Sequence, residues 1–151
     1  LLKDRGWEVE VFLYGDPAKL PPDARTNYDQ WCGQGDVTRR AVSPPPLLDD
    51  SLHLPNTDIL LDCLFGTGLS RPFTGVFAHL GHAGVQNALN NSGVRRIAVD
   101  VPSGLCADSG RILGSALPAD LTVTFHRSKQ GHYLADGPGT CSKLVVADIG
   151  L

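Results

Sequence analysis

Two short stretches carry the side chains with the widest chemical reach: Gly66-Thr67-Gly68-Leu69-Ser70-Arg71-Pro72 and Asp100-Val101-Pro102-Ser103-Gly104-Leu105. In the first, two glycines let a ligand phosphate or ribose approach the backbone, Thr67 and Ser70 offer hydroxyls, and Arg71 offers a charged fork. The bland alternative is an ordinary tight turn with a solvated arginine. In the second, Asp100 is the last residue but one of the run VRRIAVDV, on the last turn of a strand, where a sheet presents catalytic carboxylates. Asp62 is odder, because it lies inside the apolar run DILLDCLF. Burying a carboxylate costs several kcal/mol unless a cation or several donors compensate. Two readings stand side by side: Asp62 caps a neighbouring turn, or it ligates a cation with Ser103 as a second hard oxygen.

Other reactive residue types carry less. His79 and His82 share a helical segment, but their spacing without a nearby carboxylate is poor evidence for zinc. Cys32, Cys63, Cys106 and Cys141 are scattered without a CxxC pair, as reduced core or loop thiols would be. Lys129, in HRSKQG after the run ADLTVTF, would reach the same rim as the two loops and is a secondary candidate for a substrate phosphate.

The elements that must position these residues follow from pattern. Residues 1–6, LLKDRG, read as the last turn of a helix, with basic residues and then Gly6 as the left-handed stop. Residues 7–14, WEVEVFLY, alternate as a strand does. Pro21 and Pro22 can open a helix that runs through 24–31, and 37–42 form a weaker strand. Residues 43–55 hold four of the eleven prolines and read as a surface connection. The run 58–65 has the apolar continuity of a strand covered on both faces, so a central position is expected. Thr74 is a plausible cap for a helix from Gly75 to about Asn91, with Phe77, Leu80, Gly84 and Ala88 on one face. Runs 94–101, 119–125 and 144–149 are three further strands. Strands alternating with helices imply right-handed parallel crossovers and a three-layer α/β sandwich with a mostly parallel central sheet. In such a sheet ligands lie at the carboxyl ends of the strands, where both loops fall.

Composition narrows the class. A chain of 151 residues, 42% hydrophobic and 19% charged, suits one globular domain over 1–151. A formal charge of -3 gives no electrostatic reason to approach nucleic acid or an anionic membrane. No apolar run approaches the roughly 20 residues that span a bilayer, and the start lacks signal-peptide order, so a cytoplasmic location is expected. The chain opens on leucine and holds no methionine, as a fragment would. No GxGxxG fingerprint follows a strand, which sets aside an ordinary dinucleotide-dependent oxidoreductase.

DCLFGTGLSRP, VDVPSGLCADSG, ADLTVTF followed by Lys129-Gln130-Gly131, and the closing VVADIG stand here in one order. In that combination the chain resembles the NAD(P)H-hydrate epimerase domain, the YjeF N-terminal family, strongly from residue 58 onward and loosely before it. The resemblance implies a Rossmann-like fold and an isomerase that interconverts the R and S hydrates of NADH or NADPH for cofactor repair. It implies that Gly66, Thr67, Gly68, Leu69, Ser70, Arg71 and Pro72 bind the hydrated dinucleotide together with Asp100. It also implies that Asp62 and Ser103 hold a potassium ion. Asp100 is the expected acid and base. The family's Asn-Asn-Gly-Gly-Asp loop, first strand and following helix are absent from this sequence, which predicts an exposed sheet edge and slow or no turnover. Partners implied by the resemblance are a dehydratase domain, as in bifunctional relatives, or a second copy in a homodimer. The reading from another class is a non-catalytic module of the same fold that binds a nucleotide or a protein.

Overall fold

The computed structural model describes residues 2–35, 37–40, 57–72 and 83–150. The expected connection over 43–55, the cap Thr74 with the first part of its helix, and His79 and His82 lie outside the described residues.

The chain divides into two compact units, Leu1–Pro45 and Pro46–Leu151. In the first, the short 3-10 helix Lys3–Arg5 ends on Gly6 at φ 84°, the left-handed stop its sequence announces. Strand β1 (Val11–Tyr14) pairs in parallel with β2 (Val37–Arg40), in the register Val11↔Val37. The connecting helix α1 (Pro22–Cys32) begins where proline costs nothing, since the first-turn amides have no helical partner. On its exposed side Arg25 Nε donates to Asp29 at 2.9 Å across one turn.

The second unit carries β3 (Ile59–Asp62), α2 (Ala83–Asn91), β4 (Arg95–Val99), β5 (Leu121–Phe125), α3 (Gly137–Cys141) and β6 (Lys143–Ala147). Its four strands form a parallel sheet in the order β3-β4-β5-β6. The α/β class read from the sequence therefore holds. Parallel strands in sequence order require crossovers, and α2 and α3 supply them before β4 and before β6. Among the described residues β3 pairs with β4 on one side, and Ile59 and Leu61 are exposed.

Two apolar clusters pack around the sheet. Val85 and Leu89 of α2 meet Leu117, with Leu60 of β3 against them, and Val101, Leu105 and Ala107 meet Cys141 of α3. At the amino ends of the strands Asp120 holds Arg96 three ways: its Oδ2 accepts from the backbone N–H at 2.8 Å and Nε at 3.5 Å, and its Oδ1 from Nη2 at 3.2 Å. That clamp sets β4 against β5 in register.

Beyond the strands, segment 101–117 folds back through the pairing Leu105↔Ile112. Gly104 sits at φ 98° with its missing Cβ directed at the Ser115 carbonyl, and a Cβ at Gly131 would run into Cys106 O and Ala107. The Gly131 contacts, with its amide donating to Ala107 O at 2.6 Å, interlock the loop after β4 with the loop after β5. Ser103 stands on the first of those loops and Lys129 on the second.

Candidate functional site

The carboxyl ends of β3, β4 and β5 bring the polar side chains together. Asp62 is the last residue of β3, only 4% exposed, and its carboxylate crosses to the loop after β4. There it accepts from Ser103 twice, from the backbone N–H at 2.7 Å and from Oγ at 2.6 Å, and from its own loop through the Leu64 N–H at 3.2 Å. Ser103 Oγ in turn accepts from the Phe65 N–H at 3.1 Å. Burial pushes the Asp62 carboxyl above the usual range, against the hydrogen bonds from Ser103 and Leu64. Asp62 thus caps the turn after β3 and is hydrogen-bonded to Ser103.

Do these residues suit a hard cation? Among the described residues no cationic side chain pairs with Asp62, so a buried charge is offset by hydrogen bonds alone. Asp62 Oδ2 accepts one bond, and Ser103 Oγ donates one and accepts one, so each oxygen keeps a lone pair. Asp62 Oδ2 and Ser103 Oγ, two hard oxygens with spare acceptor capacity on a buried carboxyl and its partner hydroxyl, fit a monovalent cation in chemistry.

Asp100 follows β4 directly and takes φ 73°. Its amide still donates to Val123 O at 2.8 Å, while the next amide, of Val101, turns back to Val99 O at 3.1 Å. The expected strand over 94–101 therefore stops at Val99, because the chain turns left-handed at Asp100 and Pro102 cannot continue the ladder. A non-glycine residue in that region is uncommon, and here the turn aims the carboxylate across β5. Asp100 Oδ1 accepts from Thr124 Oγ1 at 2.8 Å and from Lys129 Nζ at 2.5 Å. Lys129 Nζ also donates to Thr124 Oγ1 at 2.7 Å and to Phe125 O at 3.3 Å. Partial burial works to raise the Asp100 carboxyl, but the bonds from Lys129 and Thr124 and the ammonium charge prevail and hold it below its ordinary value.

His132 ties the arrangement together from beneath. It is 2% exposed; its Nδ1 lies 3.1 Å from the Lys129 N–H, and its Nε2 lies 3.0 Å from Asp100 O. An N–H can only donate and a carbonyl only accept, so Nδ1 is the bare nitrogen and Nε2 carries the proton. Burial, with the Lys129 charge, lowers the His132 pKa and favours this neutral ring.

The loop over 66–72 opens beside this group. A turn closes with the Leu69 amide donating to Gly66 O at 3.3 Å, and Thr67, Gly68, Ser70, Arg71 and Pro72 are exposed. A Cβ on Gly66 would come 3.6 Å from Asp100 Oδ2, so the carboxylate oxygen not used by Lys129 faces the glycine loop. Asp62, Ser103, Asp100 and the start of the loop thus meet at one end of one sheet. Sequence reasoning placed Lys129 only as a phosphate contact and passed over Thr124 and His132. A signal for Thr124 existed: Thr122 and Thr124 occupy the inward positions of LTVTF, where an apolar residue is the default. His132 had none, since its importance comes from two backbone partners remote in sequence.

A parallel α/β domain whose polar groups gather at the strand carboxyl ends, beside a glycine turn, is a small-molecule site of the Rossmann-like class. The family model described as the YjeF-related protein N-terminus matches residues 1–131, and the chain belongs to that family. Among curated relatives, a Roseobacter litoralis protein named NAD(P)H-hydrate epimerase is 40% identical over 159 residues, covering 97% of this chain and 66% of the relative. A Rhodobacter capsulatus protein of the same name is 39% identical over 158 residues, covering all of this chain and 65% of the relative. A Thermofilum pendens protein named bifunctional NAD(P)H-hydrate repair enzyme is 38% identical over 148 residues, which are 98% of this chain and 27% of that protein. The chain thus spans less than two thirds of the length of these relatives.

Proposed function

We propose that this chain is the epimerase domain of a nicotinamide-cofactor repair enzyme, interconverting the R and S hydrates of NADH or NADPH. The observation that carries the reading is the Asp100 carboxylate, held at a strand end by Lys129 and Thr124 with its other oxygen toward Gly66. The names of the relatives supply the substrate.

The chemistry asks little of the protein. The hydrated carbon bears a hydroxyl and the ring nitrogen. Once the hydroxyl is protonated, water leaves as the nitrogen lone pair forms an iminium, and water returns on the opposite face. Asp100, held ionised, is suited to accept the proton of the returning water. Loop 66–72 binds the dinucleotide, with Gly66 and Gly68 admitting it, Thr67 and Ser70 hydrogen-bonding it, Leu69 and Pro72 shaping the turn and Arg71 pairing with a phosphate. Potassium is held by Asp62 and Ser103; when bound, it supplies positive charge beside the buried carboxylate and order to the strand-end loops. The domain works in the cytoplasm, and its product passes to a dehydratase, on the same chain in relatives named bifunctional. A second copy is a further partner by analogy with the family.

Chiral separation of the NADH hydrates, followed over time with the full-length protein, tests this reading. Interconversion that stops when potassium is replaced by a bulky organic cation supports it. Nucleotide binding without interconversion at any cation would transfer the domain to the binding-module class.

A further inference from the structure

Building on the epimerase reading, we propose that Lys129 is the catalytic proton donor to the departing hydroxyl and that it recovers its proton from Asp100 across their direct hydrogen bond.

The geometry that carries this is the division of labour around two groups. Lys129 Nζ makes short bonds to Asp100 Oδ1 at 2.5 Å and Thr124 Oγ1 at 2.7 Å, whereas its third bond, to Phe125 O, is 3.3 Å. That long bond is the weakest of the three and the one most readily exchanged for a substrate hydroxyl. Both side chains remain reachable, Lys129 at 23% and Asp100 at 22% exposure. His132 holds the Lys129 amide and the Asp100 carbonyl on opposite edges of one buried ring, so donor and acceptor keep their spacing. Asp100 lies below the ordinary carboxylate range, which leaves it without a proton to give at neutral pH and makes it the acceptor.

The cycle balances. Lys129 gives a proton to the hydroxyl, the C–O bond breaks with its electron pair leaving on water, and the nitrogen lone pair closes the C=N bond. Water adds on the other face, the π pair returns to nitrogen, and Asp100 Oδ2 takes the extra proton. Transfer from Asp100 to the neutral Lys129 amine restores both groups. One proton is used, one is returned, and nothing is oxidised or reduced.

The test compares interconversion and hydrate binding in the full-length protein with those of Lys129→Met and Lys129→Arg. In Lys129→Met the maximal rate falls about a hundredfold or more, binding changes by no more than a few fold, and the acid limb of the rate profile moves to higher pH as Asp100 loses its cation. Lys129→Arg stays equally slow, because a guanidinium keeps the charge but does not give up a proton. Near-normal turnover in either variant overturns the proposal. To separate transfer from packing, Lys129→Ala is supplemented with methylammonium or tetramethylammonium. Rescue by the first alone supports proton transfer; equal rescue by both reduces Lys129 to a charge and overturns it. Wild-type protein inactive on either hydrate counts against the epimerase reading instead.

Discussion

At the scale of single residues, the two carboxyl groups of the site are pushed in opposite directions. Asp62 and Asp100 stand on neighbouring strand ends, yet burial pushes one up and an ammonium holds the other down. Under the proposed activity, Asp100→Asn keeps the shape, loses the proton acceptor and slows interconversion about a hundredfold or more while the nucleotide still binds, as isothermal titration can check. The pH dependence of stability has a definite sign at His132. Its folded pKa lies below its unfolded value of about 6.5, so below that pH the unfolded chain binds more protons and folding weakens. Urea midpoints should therefore fall on acidification from about pH 6.5 through the lowered folded pKa. The fall should be shallower in His132→Gln, and an unchanged slope there would refute the role given to the ring. Asp100 acts at lower pH: its depressed pKa contributes stability above about 3.9 that is lost as pH falls through the folded value, reduced by its partial exposure.

At the scale of elements, the loops after β4 and β5 are stiff because backbone meets backbone. Gly131 leaves no room for a methyl group against Cys106 O and Ala107. Gly131→Ala should therefore shift these chains apart and lower stability by about 1–3 kcal/mol, read as a lower urea midpoint at unchanged slope. It should also weaken substrate processing, since Lys129 and His132 flank the position. Thr122 shows the smaller cost of a single bond. Its Oγ1 donates to Cys141 O at the end of α3 at 3.0 Å, so Thr122→Val, nearly the same in shape, should cost about 1 kcal/mol in the same titration. The α2 boundary at Asn91 and the stop of α1 at Gly33 were readable from the sequence, through Ser92-Gly93 and Gly33 respectively. The stop of β4 was not, because it depends on Asp100 turning left-handed to reach Thr124 and Lys129.

For the whole molecule, the proposed cation ties the strand ends of the second unit together. A ligand that binds only the folded chain stabilises it by mass action. Potassium should raise the melting temperature above that in a bulky organic cation at equal ionic strength, and Asp62→Asn should abolish the difference. Equal melting curves in both salts would remove potassium from the proposal while leaving the Asp62–Ser103 clamp intact.

The sequence by itself determined the α/β class, the parallel strands and the rim on which the polar groups sit. Apolar runs of strand length, glycine stops and helix-starting prolines are local, and each reads from a few adjacent residues. It also singled out Asp62, since a carboxylate inside DILLDCLF is visible without any fold. Tertiary structure alone decided the order of β3, β4, β5 and β6 and the partner of each ionisable group. That Lys129 takes Asp100, and that His132 bridges them through main-chain atoms, depends on loops interlocked by backbone contacts at Gly131. Pairings between residues about thirty positions apart leave no trace in local pattern, because the free energy that selects them arises only when both loops are packed.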